Sequence, residues 1–230
     1  MRPHLKKMWV IPPEGSGDFV AHMEDILDVY HMPYDPEVPL VCMDEKPVQL
    51  IKETRTSIPA CTGEPMREDY EYERNGTANI FMFTEPLQGH RVVNIRQRRT
   101  AIDWAHEIRD LLETHYADAK RIRLVCDNLN THSFGSLYEA FPPEQARSLA
   151  SRLEIHHTPK HGSWLNIAEI EISALSMQCL DRRIPDIDAL RRETKGWEHN
   201  RNMRQKGVDW QFTTHDARIK LKRLYPQYHN

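Results

Sequence analysis

Two short apolar runs, VPLVCM and IRLVC, are each followed directly by an aspartate, Asp44 and Asp127. Nearly continuous apolar runs of this length mark strands covered on both faces, so the chain needs a sheet with helices packed on each side. An acid at the exit of such a strand has no favourable place in a core and usually faces a site. If the two strands are neighbours, their carboxylates lie within a few ångströms of each other. Repulsion then raises one pKa unless a cation sits between them. Oxygen-only donors favour Mg2+ or Mn2+, whereas Zn2+ would ask for Cys or His at closer spacing.

The remaining pattern places these strands in a mixed α/β order. Phe19, Val20, Met23, Ile26, Leu27 and Tyr30 recur at helical spacing and predict an amphipathic helix outside the core, ended by Pro33, Pro36 and Pro39. A polar, turn-rich stretch is expected from Glu45 to Gly76. The segments ANIFMFTE and HRVVNI around PLQG then predict a hairpin. Thr100 with Asp103 predicts a capped helix carrying Trp104, Ile108, Leu111 and Leu112 on one stripe up to Tyr116. After the Asp127 strand come a short helix at Phe134 to Phe141, a strand at LEIHH, and a helix from Trp164 to Leu180 with Glu169 in its second turn. Three strands before the first core helix argue against a simple doubly wound sheet.

The 230 residues suffice for one core with flanking arms: an N-terminal arm at 1–38, a core at 39–180 and a basic helical region at 181–230 that packs on it. No apolar run approaches a membrane span and the start lacks a signal peptide's apolar region, so a cytoplasmic protein is expected. Cys42, Cys61, Cys126 and Cys179 are scattered and form no C-x-x-C pair, which excludes a zinc knuckle or a disulfide framework. The net charge of -3 conceals an asymmetry, because residues 181–230 hold twelve Lys and Arg against seven Asp and Glu. On charge alone that region is either where DNA phosphates sit or a solvated mixed-charge surface with no partner.

Two aspartates do not hold a pair of metal ions, so a third acid is expected from the long helix, where Glu169 and Glu171 are both candidates. At about 100° per residue they point roughly 200° apart, so only one of them faces the site. Geometry alone leaves both open.

The stretches MDEKP, VCDNLNTH and HHTPKHGSWLNIAEIEIS resemble the three active-site blocks of DDE transposases of the mariner superfamily, particularly its bacterial insertion-sequence branch. The likeness continues through WQFTTHDARIKLKRLYP and so covers nearly the whole chain. Eukaryotic relatives usually carry Pro where this chain has Ile167. The resemblance implies a ribonuclease-H-like fold, a five-stranded mixed sheet flanked by helices with its first and fourth strands side by side. It implies Asp44, Asp127 and Glu169 as catalytic metal ligands, which decides against Glu171, and a pair of Mg2+ or Mn2+ ions as cofactor. The implied chemistry is in-line attack on a DNA phosphodiester, first by water and then by a freed 3′-hydroxyl. The implied partners are transposon terminal repeats, target DNA and a second copy of the chain paired on DNA.

Asn128 and His132 are candidates to orient a metal-bound carboxylate or touch the scissile phosphate, and Lys46, Lys160, Arg96, Arg98 and Arg99 to contact DNA backbone. His156, His157 and His161 are expected to pack or cap, Trp104 and Trp210 to lie in the core, and Trp164 to serve either core or stacking. Relatives carry helix-turn-helix modules ahead of the catalytic domain, and the stretch before Asp44 is too short for them. A missing or separately encoded DNA-reading part is therefore expected. The competing readings are a plain metal-dependent nuclease of the same fold and an inactive, domesticated DNA-binding remnant.

Overall fold

The computed structural model describes residues 15–56, 58–67 and 69–227. The basic opening stretch with Pro12 and Pro13 lies outside them. The apolar runs form strands as expected: β1 (Leu40–Glu53), β2 (Tyr72–Glu85), β3 (His90–Arg96), β4 (Ile122–Cys126) and β5 (Leu153–His157). They make one sheet in the order β3-β2-β1-β4-β5, antiparallel from β1 to β3 and parallel from β1 through β4 to β5. This is the mixed, helix-flanked, ribonuclease-H-like sheet that the resemblance implied, with the first and fourth strands adjacent.

Alternation along the strands sorts side chains between two helical layers. Leu40, Cys42, Ile80, Met82 and Val125 face α1 (Gly17–Tyr30) and α5 (Ile167–Gln178). Val41, Met43, Phe81, Leu124 and Cys126 face α2 (Ala101–Asp110), α3 (Phe134–Ala140) and α4 (Pro143–Ser151). The amphipathic helix expected outside the core is thus part of it. Met23, Ile26 and Leu27 of α1 are fully buried, because the sheet face beside β5 and α5 has no other cover.

Three further expectations change. The stretch after Glu45 is no loop at its start: β1 runs on to Glu53, paired with β2 down to Tyr72. Only one face of this ribbon is buried, with Leu50 and Ala78 against Ile184 and Leu190, so its composition is mostly polar. Pro47 is tolerated there because β4 accompanies β1 only from Leu40 to Cys42. Second, α4 escapes the apolar pattern, since it buries only Ala146 and Leu149. Third, the helix after β5 begins later than Trp164. Asn166 adopts φ −86° and ψ 108°, and its side chain accepts from the Ala168 N–H at 3.1 Å, so a separate 3-10 turn at Ser163–Leu165 precedes α5. Glu169 therefore stands in the first turn of α5, not the second.

The C-terminal region adds α6 (Ile187–Met203), packed on β3, and α7 (Thr214–Lys220), packed on α1. Edge strand β3 is covered by side chains: Asn202 and Glu198 of α6 accept from the Arg91 and Val93 N–H groups, both at 2.8 Å. Gly196 lies inside α6, exposed, where an added Cβ would meet nothing within 4 Å. Glycine inside a helix costs chain entropy, so Gly196→Ala is expected to stabilise the protein by about 0.5–1 kcal/mol and raise Tm by about 1–4 °C. A thermal melt with an unchanged or lower midpoint would refute this.

Candidate metal and DNA-cleavage site

Asp44 and Asp127 meet where the strand order reverses. The parallel ladder between β1 and β4 ends at the Cys42–Val125 pair. Two residues beyond it on each strand stand the two aspartates, both on the α5 face by alternation. The strands diverge there, to β2 on one side and β5 on the other, and such a switch point leaves an open crevice at the strand ends. Asn166 ties the third element in, donating from Nδ2 to the Met43 carbonyl at 2.9 Å while it caps α5. Through this one side chain the helix start is set against the residue before Asp44. Glu169 follows three positions later, where the positive end of the helix favours a carboxylate.

Asp44 feels both other acids, and Glu169 feels Asp127. Burial pushes the Asp44 carboxyl up to about 7; the Glu45 amide, donating to Asp44 Oδ1 at 2.7 Å, opposes this, and Glu169 and Asp127 add to it. Glu169 is raised as well, by burial first and by Asp127, against a hydrogen bond from Ser163. Among the described residues no three His, Cys, Asp or Glu side chains already close around a single point. The trio is an open, over-charged mouth made of oxygen donors, and its excess negative charge fits a divalent hard cation.

Glu171 occupies a different environment. It is 2 % exposed and bound to two arginines: Arg91 at 2.8 Å, and Arg201 through Nε and Nη2, both at 3.0 Å. It joins α5 to β3 and α6 and has no free oxygen for a ligand. The two glutamates point apart as helix geometry requires, Glu169 to the aspartates and Glu171 into the protein.

His132 lies directly behind Asp127. Its ring is buried, stacks on Trp104 with centroids 5.7 Å apart, and places Nδ1 2.6 Å from Asp127 Oδ1 and Nε2 3.1 Å from Glu45 Oε1. Burial alone would lower its pKa. Its contacts with Asp127, Cys126 and Glu45 outweigh that and lift it to about 12. Asn128, by contrast, is exposed in the loop after β4.

The basic candidates divide. Arg98 and Lys160 are exposed. Lys46 donates to Ser176 of α5 at 2.7 Å, Arg96 binds buried Glu107 at 2.5 Å, and Arg99 lies 4.0 Å from Glu45. His156 bridges Asp25 and Glu154, His157 lies against the Asp127 carbonyl, and His161 takes φ 66° in a turn. Trp104 is fully buried, Trp210 packs on Tyr30 at 5.0 Å, and Trp164 is half-buried edge-on to Phe212. Apolar periodicity had no means of finding Glu45, Ser163 or Asn166, since each acts through a polar contact made only in the folded chain.

The family model described as DDE superfamily endonuclease matches residues 39–191. Among solved structures, the Mos1 mariner paired-end complex with Mn aligns at 13% identity with a TM-score of 0.56, over 94% of this chain and 64% of that one. The Mos1 strand transfer complex aligns at 12% identity and 0.56 over 96% of this chain and 66% of that one. The catalytic domain of Mos1 mariner transposase aligns at 11% identity and 0.55, over 86% of this chain and 91% of that one. The chain thus spans less than two thirds of the transposase in those complexes and most of the isolated catalytic domain. At these identities the likeness is one of fold. No curated protein sequence matches the chain.

Proposed function

Because this chain belongs to the DDE superfamily of endonucleases, we propose that it is the catalytic core of a DNA transposase, which cleaves DNA at transposon ends and joins the freed 3′-hydroxyl to target DNA. The observation that carries this reading is the meeting of Asp44, Asp127 and Glu169 on one sheet face, with the Asp44 carboxyl lifted to about 7 by burial first and then by the other two. Mutual repulsion of that kind costs stability in a free protein and is relieved by a cation. The donor set suits a pair of Mg2+ or Mn2+ ions, and Mos1 complexes with both metals have been solved. When bound, such ions activate the attacking oxygen and stabilise the leaving one.

The chain's own residues supply the rest. Asp44 and Asp127 would hold the ions from the sheet and Glu169 from the start of α5. His132 bonds the Asp127 main-chain carbonyl and lies in ion-pair contact with one oxygen of its carboxylate, leaving the other open. Asn128, exposed beside it, can donate to the scissile phosphate, and Arg98 and Lys160 offer free charges to the backbone. Lys46, Arg96 and Arg99 contribute positive field from fixed positions. Residues 39–180 form the core in this reading, joined by α1, with 181–230 packed on it. Two transposon ends require two active sites, hence a homodimer on DNA. The likeness of the three sequence blocks favours the bacterial insertion-sequence branch.

The test is direct. Protein with Mg2+ or Mn2+ is expected to nick DNA carrying the element's terminal repeats and to yield joined products, which a nuclease without strand transfer would not. Asp127→Asn is expected to abolish both while keeping the fold. Equal activity in the variant would refute the assignment.

A further inference from the structure

Glu45 is linked to both strand-end aspartates, to Asp44 directly and to Asp127 through His132, though alternation points its side chain to the opposite sheet face. Its amide N–H donates to Asp44 Oδ1 at 2.7 Å. Its carboxylate accepts from His132 Nε2 at 3.1 Å, while His132 Nδ1 bonds the Asp127 main-chain carbonyl at 3.3 Å and lies in ion-pair contact, at 2.6 Å, with Asp127 Oδ1, which has no hydrogen-bond partner among the described residues. The Glu45 side chain is only 2% exposed, with Arg99 at 4.0 Å and Oε2 without a hydrogen-bond partner. Burying a carboxylate this deeply is costly unless it is paired and hydrogen-bonded, and among the described residues His132 is the one hydrogen-bond partner of its side chain. Carboxylates and carbonyls only accept, so each ring nitrogen of His132 faces an acceptor, the Glu45 carboxylate on one side and Asp127 on the other. The ring also stacks on Trp104, which stops it from turning.

We propose that Glu45 is a positioning residue that sets the two aspartates in one fixed relation: its backbone holds Asp44, and its side chain, through His132, holds Asp127. Asp44 then has one oxygen in a hydrogen bond and Asp127 one in an ion pair, and each keeps its other oxygen for a metal ion. This rests on the reading of Asp44 and Asp127 as metal ligands. A purely structural pair would stabilise the loop after β4 without affecting what those oxygens bind. Residues one step removed from a metal commonly change affinity 10–100-fold when lost, because they orient the ligands.

Two variants separate these roles. Glu45→Leu removes the acceptor, and Glu45→Gln keeps an oxygen but loses the charge. Mn2+ binding to metal-free protein is followed by the electron paramagnetic resonance of free Mn2+, and the His132 ring protons by NMR of 15N-histidine-labelled protein without metal. In the wild type, two slowly exchanging His132 ring N–H signals are expected. In Glu45→Leu, both should be lost to fast exchange and Mn2+ affinity should fall about 10–100-fold. Glu45→Gln should keep the ring signals and weaken Mn2+ binding less, about 3–10-fold, and it decides the matter should Glu45→Leu not fold. Wild-type Mn2+ affinity with unchanged His132 signals in the folded variants overturns the proposal. Should the wild type bind no Mn2+, the metal-ligand reading fails, and the ring signals still decide whether Glu45 holds His132.

Discussion

Glu169→Gln is expected to lower DNA cleavage by at least about 10³-fold, equivalent to about 4 kcal/mol of transition-state stabilisation, with no loss of thermal stability. The physical reason lies in the folded state. Burial and Asp127 raise the Glu169 pKa, so its ionised form opposes folding at neutral pH. Replacing it with a neutral group of the same shape removes that cost and also removes a ligand oxygen. Single-turnover cleavage and a thermal melt, run side by side, check both halves. A variant that cleaves like wild type would remove Glu169 from the site. One that unfolds several degrees earlier would show the residue to be structural.

Two positions along the same helix the opposite response is expected. Glu171→Gln leaves buried Arg91 without its counter-charge, and breaking a buried pair by removing one partner costs about 3–5 kcal/mol. In a domain of this size that lowers Tm by roughly 6–20 °C. The cost falls mainly on Arg91, since Arg201 is partly exposed and can turn to solvent. The pH dependence has a definite sign. Burial works to raise the Glu171 pKa, but Arg201 and Arg91 overcome it and hold the carboxyl below its ordinary value of 4.5. Its contribution is therefore complete above that value and is lost as pH falls below it, through the folded-state pKa. Denaturation measured from neutral pH down into this acid range should show the gap between wild type and Glu171→Gln closing. A constant gap, or none at neutral pH, would refute the pairing.

The contrast between these glutamates shows what kind of information each level holds. Helical periodicity states that residues 169 and 171 face different ways, but nothing in IAEIEIS says which way the helix is turned. That is decided by contacts distant in the chain: Arg91 on β3 and Arg201 on α6 draw Glu171 inward, while Asn166 anchors the helix start to Met43 beside Asp44. The same holds for the basic residues. Arg96 and Arg98 look alike in sequence, yet one is committed to buried Glu107 and the other is exposed. The turn of helix lost at Trp164 follows from Asn166 as well, whose side chain competes for the backbone and starts α5 afresh.

The apolar runs, the capped helix at Thr100 and the hairpin around PLQG determined by themselves that the chain forms a mixed sheet with covered faces and an aspartate at the end of each of two buried strands. Local propensity and burial suffice for that, because a run of four to six apolar side chains has few other places to go. Which sheet neighbours those strands have, and therefore that Asp44 and Asp127 meet, was decided only by tertiary pairing. So was the role of Glu45, which a strand's two-residue alternation places on the wrong face and which reaches Asp127 only because the loop after β4 folds His132 back beneath it.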